Sequence, residues 1–337
     1  MIQKDELLLD VHGLNVSFQL ENCRLQAVSD VSFKVRRGET LAIVGESGSG
    51  KSVTSLALMG LLPRKANMAA ERMEFQGASL VGMAQREISN LRGNRFSMIF
   101  QEPMTALNPA YTIGNQLIEV MLRHRKVSKR AATERAMFLL EKVGMTSPGE
   151  RLRQYPHQLS GGLRQRVVIA MALMCGPDLL IADEPTTALD VSVQAQILRL
   201  LKDLQEEFQS AMILITHDLS VVARVADTVA VMYAGTIVES APVRELFASP
   251  YHPYTQGLLS CLPVPGKVKR GDPLGTIPGI VPSVIQGEVG CQFADRCPRV
   301  TSECRTENIA MQKAGSTLFR CRLPASVLAQ PVMEESS

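Results

Sequence analysis

The sequence predicts an α/β fold: a mixed sheet core with an antiparallel β part and a helical part, followed by a small cysteine-rich C-terminal extension. Three ordered segments carry the prediction. Gly45-Glu46-Ser47-Gly48-Ser49-Gly50-Lys51-Ser52 comes first; about 110 residues later follows Leu159-Ser160-Gly161-Gly162-Leu163-Arg164-Gln165-Arg166, and then Leu179-Leu180-Ile181-Ala182-Asp183-Glu184-Pro185. Short apolar runs alternate with helix-periodic stretches through this region, the pattern of strands joined by helices.

The first segment fits Gly-x-x-x-x-Gly-Lys-[Ser/Thr], and its flanks supply the context such a loop needs. Thr40 to Val44 reads as a buried parallel strand, and Ser52 to Leu62 repeats apolar residues at helical spacing until Pro63. Gly45, Gly48 and Gly50 let the backbone turn its N–H groups of the 45–52 loop, Glu46, Ser47 and Ser49 included, toward phosphate oxygens, and the helix dipole adds positive potential. Lys51 is then expected to reach the β- and γ-phosphates, with the Ser52 hydroxyl on Mg²⁺. The plainer alternative is a glycine-rich strand-to-helix turn that holds nothing.

A second buried strand, Leu179 to Ala182, ends in Asp183 and Glu184 at its C-terminal edge, the side where ligands sit in parallel sheets. Asp183 is expected to hold Mg²⁺ through its water shell, and Glu184 to polarise the water that attacks the γ-phosphate. Alone, the pair also reads as a solvated acidic strand end. Followed by Pro185-Thr186-Thr187-Ala188-Leu189-Asp190, it points to nucleotide hydrolysis.

With these residues in view, the chain resembles the nucleotide-binding subunit of an ATP-binding-cassette (ABC) transporter. Leu159-Ser160-Gly161-Gly162 resembles the family signature, which other P-loop ATPases lack; Leu163 stands where the best-known form has Gln. The resemblance implies that Ser160, Gly161 and Gly162 close on ATP held by a partner's phosphate loop. A Ser and two glycines opening the apolar helix Leu163 to Met174 also suit an anion on physical grounds. It further implies that Gln101 senses the γ-phosphate and Mg²⁺, that His217 after the strand Met212 to Ile215 contacts the γ-phosphate, and that Asp190 runs across the dimer interface. Phe18 matches the aromatic that stacks on adenine, although an aromatic in a strand is more often core. Lys51, Gln101, Glu184 and His217 complete the catalytic set.

Composition fits this assignment. The 337 residues, 45% of them hydrophobic, suffice for one large α/β domain and a small appendage. A net charge of +3 makes no electrostatic case for nucleic acid. The longest apolar stretch, Val167 to Ala182, is broken by Gly176-Pro177-Asp178 and falls short of the roughly 20 residues that span a bilayer. Met1-Ile2-Gln3-Lys4-Asp5-Glu6 is no leader, so the expected location is the cytoplasmic face of the cell (inner) membrane, held there by partners.

The expected organisation is a nucleotide-binding domain over residues 1–241, an extension over 242–325 and a flexible tail over 326–337. Leu8 to Phe18 and Val28 to Val35 read as antiparallel strands, and about 102–158 as a helical subdomain including the charged stretch Ser128 to Val143. In the family this subdomain receives a coupling helix from the membrane permease; without the signature it would read as a solvated insert.

After Pro242, His252-Pro253-Tyr254-Thr255-Gln256 opens a short helix, a Pro/Gly-rich connector runs from Pro263 to Pro282, and Cys291, Cys297, Cys304 and Cys321 follow. Four thiols within about thirty residues of a cytosolic chain suit tetrahedral zinc or an iron–sulfur cluster better than disulfides. Their spacing departs from the paired Cys-x-x-Cys of a zinc ribbon. This region resembles the C-terminal extension of the oligopeptide, dipeptide and nickel importer branch, which implies a [4Fe–4S] cluster on the four cysteines, with zinc or unliganded buried thiols as alternatives. Cys23, Cys175 and Cys261 are expected to be structural, and His252 and Tyr254, which read equally well as ordinary helix-entry packing, are assigned no chemistry.

The resemblance implies the ATP-hydrolysing subunit of an importer of di- or oligopeptides, with two membrane permeases, a second and different ATPase subunit, and an extracytoplasmic solute-binding protein. Nickel and glutathione-like cargo stay open. A soluble ABC ATPase of translation or DNA repair is the rival class, disfavoured because the chain has neither two cassettes nor a long coiled-coil insertion.

Overall fold

The computed structural model describes residues 6–21, 23–187, 189–262, 275–282, 284–285 and 289–329. Of the expected flexible tail over 326–337, residues 326–328 instead belong to the short helix Ala325–Leu328 with Leu328 buried, while residues 330–337 and most of the connector after Leu262 lie outside the described residues. The chain divides into two compact units, one of Met1–Leu9, Lys34–Thr40 and Glu74–Ile215, the other of Asp10–Phe33, Leu41–Met73 and Thr216–Ser337.

The first unit is built on the parallel strands Phe96–Ile99, Leu179–Asp183 and Ala211–Thr216, the last of which ends one residue into the second unit. Phe96 lies opposite Leu179, and Leu179 opposite Ala211, which brings Asp183 to the C-terminal end of the central strand. Every residue of the three is buried, as continuous apolar runs covered on both faces should be. Just before the central strand, Asp178 accepts hydrogen bonds from Arg95 Nε (2.6 Å) and Arg37 Nη1 (3.0 Å).

The helical expectation over 102–158 resolves into helices Pro103–Ala106, Ile113–His124, Lys129–Lys142 and Pro148–Arg151 and a 3₁₀ turn at Pro156–Gln158. Thr112 Oγ1 accepts from Asn115 N (3.3 Å) and Ser128 Oγ from Ala131 N (3.2 Å), each capping a helix whose first N–H groups lack partners. Ile113, Leu117, Ala132, Ala136, Leu139 and Leu140 form the buried faces, and both helices pack on Gly161–Ala172. Gly114 permits a close approach: its N–H donates to Leu152 O at 2.8 Å, and a Cβ there would sit 2.8 Å from the same oxygen.

In the second unit, Thr40–Val44 runs parallel to Thr228–Tyr233, with Val44 opposite Val231. Thr228–Tyr233 continues antiparallel into Thr236–Pro242. That strand then accepts Thr317–Phe319, with Glu239 opposite Phe319, and Gln312–Ala314 closes the edge. The cysteine-bearing end of the chain thus joins the same sheet as the phosphate-loop strand. Val44, Val229, Val231, Tyr233, Leu246, Tyr254 and Phe293 form one core cluster. The strand Leu7–Gln19, next to Arg24–Arg36, pairs antiparallel with Ala66–Ala69, Phe18 opposite Ala66.

The helix after the phosphate loop spans Lys51–Leu58 and stops short of the expected Leu62. Gly60, at φ +61°, donates to Ala57 O, and Leu61 N donates to Leu56 O. These two bonds form a Schellman ending, so Gly60 stops the helix and Pro63 only follows it. Among the described residues no helix is long and apolar enough to cross a membrane.

Candidate functional site

The second unit carries the phosphate loop. Its shape depends on two close approaches: a Cβ on Gly45 would fall 2.1 Å from Met232 O, and one on Gly50, at φ +98°, 2.4 Å from Ala27 O. Lys51 opens the helix, and its side chain turns back under the loop. Its Nζ donates to Gly45 O (2.8 Å), Glu46 O (2.9 Å) and Ser49 Oγ (3.5 Å). Lys51 and Ser49 are buried, Ser52 is half-buried. A glycine-permitted turn around a buried ammonium at a helix N-terminus fits a nucleotide phosphate.

Glu46 is anchored from outside the loop. Its N–H donates to Tyr254 Oη (3.0 Å), and Arg296 grips its carboxylate with Nη1 on Oε1 (3.0 Å) and Nη2 on Oε2 (3.1 Å). No sequence signal connects these residues, and Tyr254 proves to be more than helix-entry packing. His252 is packing as expected: its Nδ1 accepts from Tyr254 N (3.1 Å) as the N-cap of Pro253–Ser260. Also in this unit, Phe18 is half-buried on its strand, and His217 is exposed directly after Thr216. Asp218, next to it, accepts from Ser220 N (2.8 Å) and caps the helix Leu219–Val225.

The first unit carries the acidic residues and the signature. Asp183 is buried, and Glu184 follows at φ +44°, a left-handed conformation that costs a non-glycine residue on the order of 1 kcal/mol or more. Glu184 N–H donates to Ile215 O (2.9 Å), while its Oε2 accepts from Thr187 Oγ1 (2.8 Å) and Gln101 Nε2 (3.2 Å). The expected pair Gln101 and Glu184 is therefore in contact. Thr187 escaped the sequence reading although it stands three residues after the glutamate.

Ser160 is the N-cap residue of Gly161–Ala172, so that helix begins two residues before the expected Leu163. A Cβ on Gly162 would meet Val193 Cγ1 at 3.1 Å, and one on Gly161 would meet Leu189 Cδ2 at 3.7 Å. The glycines bring the signature turn against the segment that contains Asp190, whose carbonyl accepts from Val193 N and Gln194 N (both 2.9 Å). Phosphate loop, Phe18 and His217 thus belong to one unit, and Gln101, Ser160, Gly161, Gly162, Asp183, Glu184 and Asp190 to the other.

The metal expectation for Cys291, Cys297, Cys304 and Cys321 is corrected. Among the described residues, no group of three or more His, Cys, Asp or Glu side chains is placed to hold a metal ion, so neither the [4Fe–4S] cluster nor zinc is supported. All seven cysteines are free thiols. Desolvation, helped by the neighbouring thiols, pushes Cys291 and Cys297 up to about 11 and raises Cys321 as well. With no metal beside them, burial favours the protonated form of these thiols. They serve as small apolar groups: Cys291 and Cys297 pack on the Tyr233–Tyr254–Phe293 core, and Cys321 beside Phe319 and Leu328.

Comparison with known proteins agrees with the geometry. Residues 28–187 match the ABC transporter family, and residues 238–304 the family described as oligopeptide/dipeptide transporter, C-terminal region. The dipeptide transport ATP-binding protein DppD of Bacillus subtilis is 53% identical over 300 residues, 89% of each chain. DppD of Escherichia coli is 46% identical over 327 residues, covering 97% of this chain and 99% of that one. The oligopeptide transport ATP-binding protein AppD of B. subtilis is 47% identical over 320 residues, 94% of this chain and 96% of its own. Among solved structures, the dimeric bacterial ABC transporter cassette MJ0796 matches with a TM-score of 0.63 at 25% identity, covering 70% of this chain and 99% of that one. The chain belongs to the ABC transporter ATP-binding proteins and is an ATPase, with an oligopeptide/dipeptide-type C-terminal region.

Proposed function

We propose that this chain, held at the cytoplasmic face of the cell (inner) membrane, hydrolyses ATP to energise the import of di- or oligopeptides across that membrane. The observation that carries the hydrolytic part is the Glu184 carboxylate, fixed by Thr187 and Gln101 at the end of a buried strand. Such a carboxylate is poised to accept a proton from the attacking water, while Lys51 in its loop is poised to neutralise phosphate charge. His217 and Gln101 contact the γ-phosphate in this reading, and Phe18 stacks on the adenine. Ser52, Gln101 and Asp183 are the proposed partners of Mg²⁺, which would supply charge neutralisation on the phosphates.

Ser160, Gly161, Gly162 and Asp190 face the ATP of a second cassette, so ATP binding closes two subunits and hydrolysis releases them. The names of DppD and AppD support peptide cargo. We assign residues 1–241 to the nucleotide-binding domain, about 102–158 to its helical subdomain, 242–325 to the extension and 326–337 to the tail. The proposed partners are two permeases, a second and different ATPase subunit and an extracytoplasmic binding protein. Purification of the tagged full-length chain from gently solubilised native membranes, with mass spectrometry of what accompanies it, tests the assembly. Two polytopic permeases and a second cassette are expected; purely soluble companions would overturn the transport reading.

A further inference from the structure

Arg296 lies 250 residues from Glu46, and every N–H of its guanidinium has an acceptor. Its side chain is 5% exposed. Nη1 and Nη2 hold the two Glu46 oxygens; Nη1 also reaches Tyr233 Oη (3.3 Å), Nη2 reaches Ile277 O (3.1 Å) and Nε reaches Pro278 O (2.7 Å). Those five contacts match the five N–H donors of an arginine, so the fork has no freedom left to turn. Tyr254 adds a second hold on the same residue through the Glu46 N–H, and its ring is packed against Tyr233 (centroids 4.6 Å apart) and Phe293 (5.3 Å).

The same Glu46 faces inward through its carbonyl, which accepts from Lys51 Nζ (2.9 Å) and from Ser49 N (3.2 Å). A continuous set of hydrogen bonds therefore runs from the C-terminal region through Glu46 to the lysine of the phosphate loop. Arg296 is buried and Glu46 half-buried, and a contact set that uses every guanidinium donor favours a single geometry, because a shift leaves a buried N–H unpaired.

We infer that Arg296 and Tyr254 are positioning residues for ATP: the C-terminal region holds Glu46 so that the phosphate loop and Lys51 keep the shape that receives the nucleotide. Binding then draws on a preformed loop and loses less to ordering it. The inference rests on the reading of residues 45–52 as the phosphate cradle, and its test separates the two.

The test uses the full-length chain and a fluorescent ATP analogue, with thermal unfolding recorded alongside and ATP hydrolysis as a second readout. Lys51→Ala checks the cradle itself; wild-type affinity in that variant overturns the underlying reading. Tyr254→Phe removes one oxygen and keeps the ring, and Arg296→Ala removes the fork. Both are expected to weaken ATP binding, about tenfold for Arg296→Ala and less for Tyr254→Phe, with the loss in KM and little change in kcat. Arg296→Lys should recover part of the loss, and Arg296→Ala should cost nothing further in a Glu46→Ala background. If Arg296→Ala does not fold, Tyr254→Phe and Arg296→Lys decide. Wild-type ATP affinity in folded variants, whatever their melting temperature, would reduce these contacts to packing and overturn the inference.

Discussion

His252 offers a sharp test of the packing behind the phosphate loop, because its imidazole is 1% exposed and burial holds its pKa down to about 3. In the folded chain Nδ1 accepts the Tyr254 N–H, so the ring is neutral with its proton on Nε2. In the unfolded chain the same ring titrates near 6.5. Between these values the unfolded state binds the extra proton, so stability rises with pH, is fully present above about 6.5 and is lost as pH falls toward 3. Going from pH 7.5 to 5.5 changes the unfolded-state protonation factor from about 1.1 to about 11, a tenfold ratio worth about 1.4 kcal/mol. That figure holds for any folded pKa well below 5.5. Nearby Glu239, raised by its own burial, contributes with the opposite sign but is present in both proteins compared. His252→Asn keeps a residue able to cap the helix and removes the titration. Urea unfolding of wild type and variant at both pH values should show the wild type losing about 1.4 kcal/mol more on acidification. Equal losses in the two proteins would mean that His252 is not held neutral in the fold.

Three further expectations follow from individual contacts. Glu184→Gln keeps a side chain that can accept from Thr187 and Gln101 but cannot take a proton, so ATP binding should persist while hydrolysis falls roughly 10²- to 10⁴-fold; near-normal turnover would remove Glu184 from the base role. Gly114→Ala improves intrinsic helix propensity by about 1 kcal/mol, yet its Cβ meets Leu152 O at 2.8 Å, so a net loss of about 1–3 kcal/mol is expected in denaturant titration and a stabilised variant would refute the close packing. Phe319→Ala empties a fully buried site stacked on Tyr251 (5.0 Å), and should cost about 3–5 kcal/mol by the same assay; a near-neutral result would mean that the C-terminal strands do not join the sheet as described.

What was legible in the sequence was chemistry carried by contiguous residues. The phosphate loop needs glycines where Met232 O and Ala27 O come within bonding distance of a side chain, and those glycines are printed in the chain in order. Strands buried on both faces announce themselves as unbroken apolar runs, which is why Thr40 to Val44 and Leu179 to Ala182 are legible as strands, the second extending one residue further to Asp183. Helix ends were less clear, because Pro63 drew attention from the Gly60 ending three residues earlier. The cysteines differ for another reason: spacing records that thiols are close in sequence, whereas ligation needs three or more donors placed around one point, and no such group is found among the described residues. The three-residue strands Gln312–Ala314 and Thr317–Phe319 are too short for any periodicity to show. Least legible was the Arg296–Glu46 pair, since nothing local marks either residue. Glu46 occupies one of the positions that Gly-x-x-x-x-Gly-Lys leaves unspecified, where the loop uses only the backbone. Its carboxylate is consequently available for a task of its own, and such an unspecified position is where a neighbouring region can take hold of a phosphate loop without altering the residues that bind phosphate.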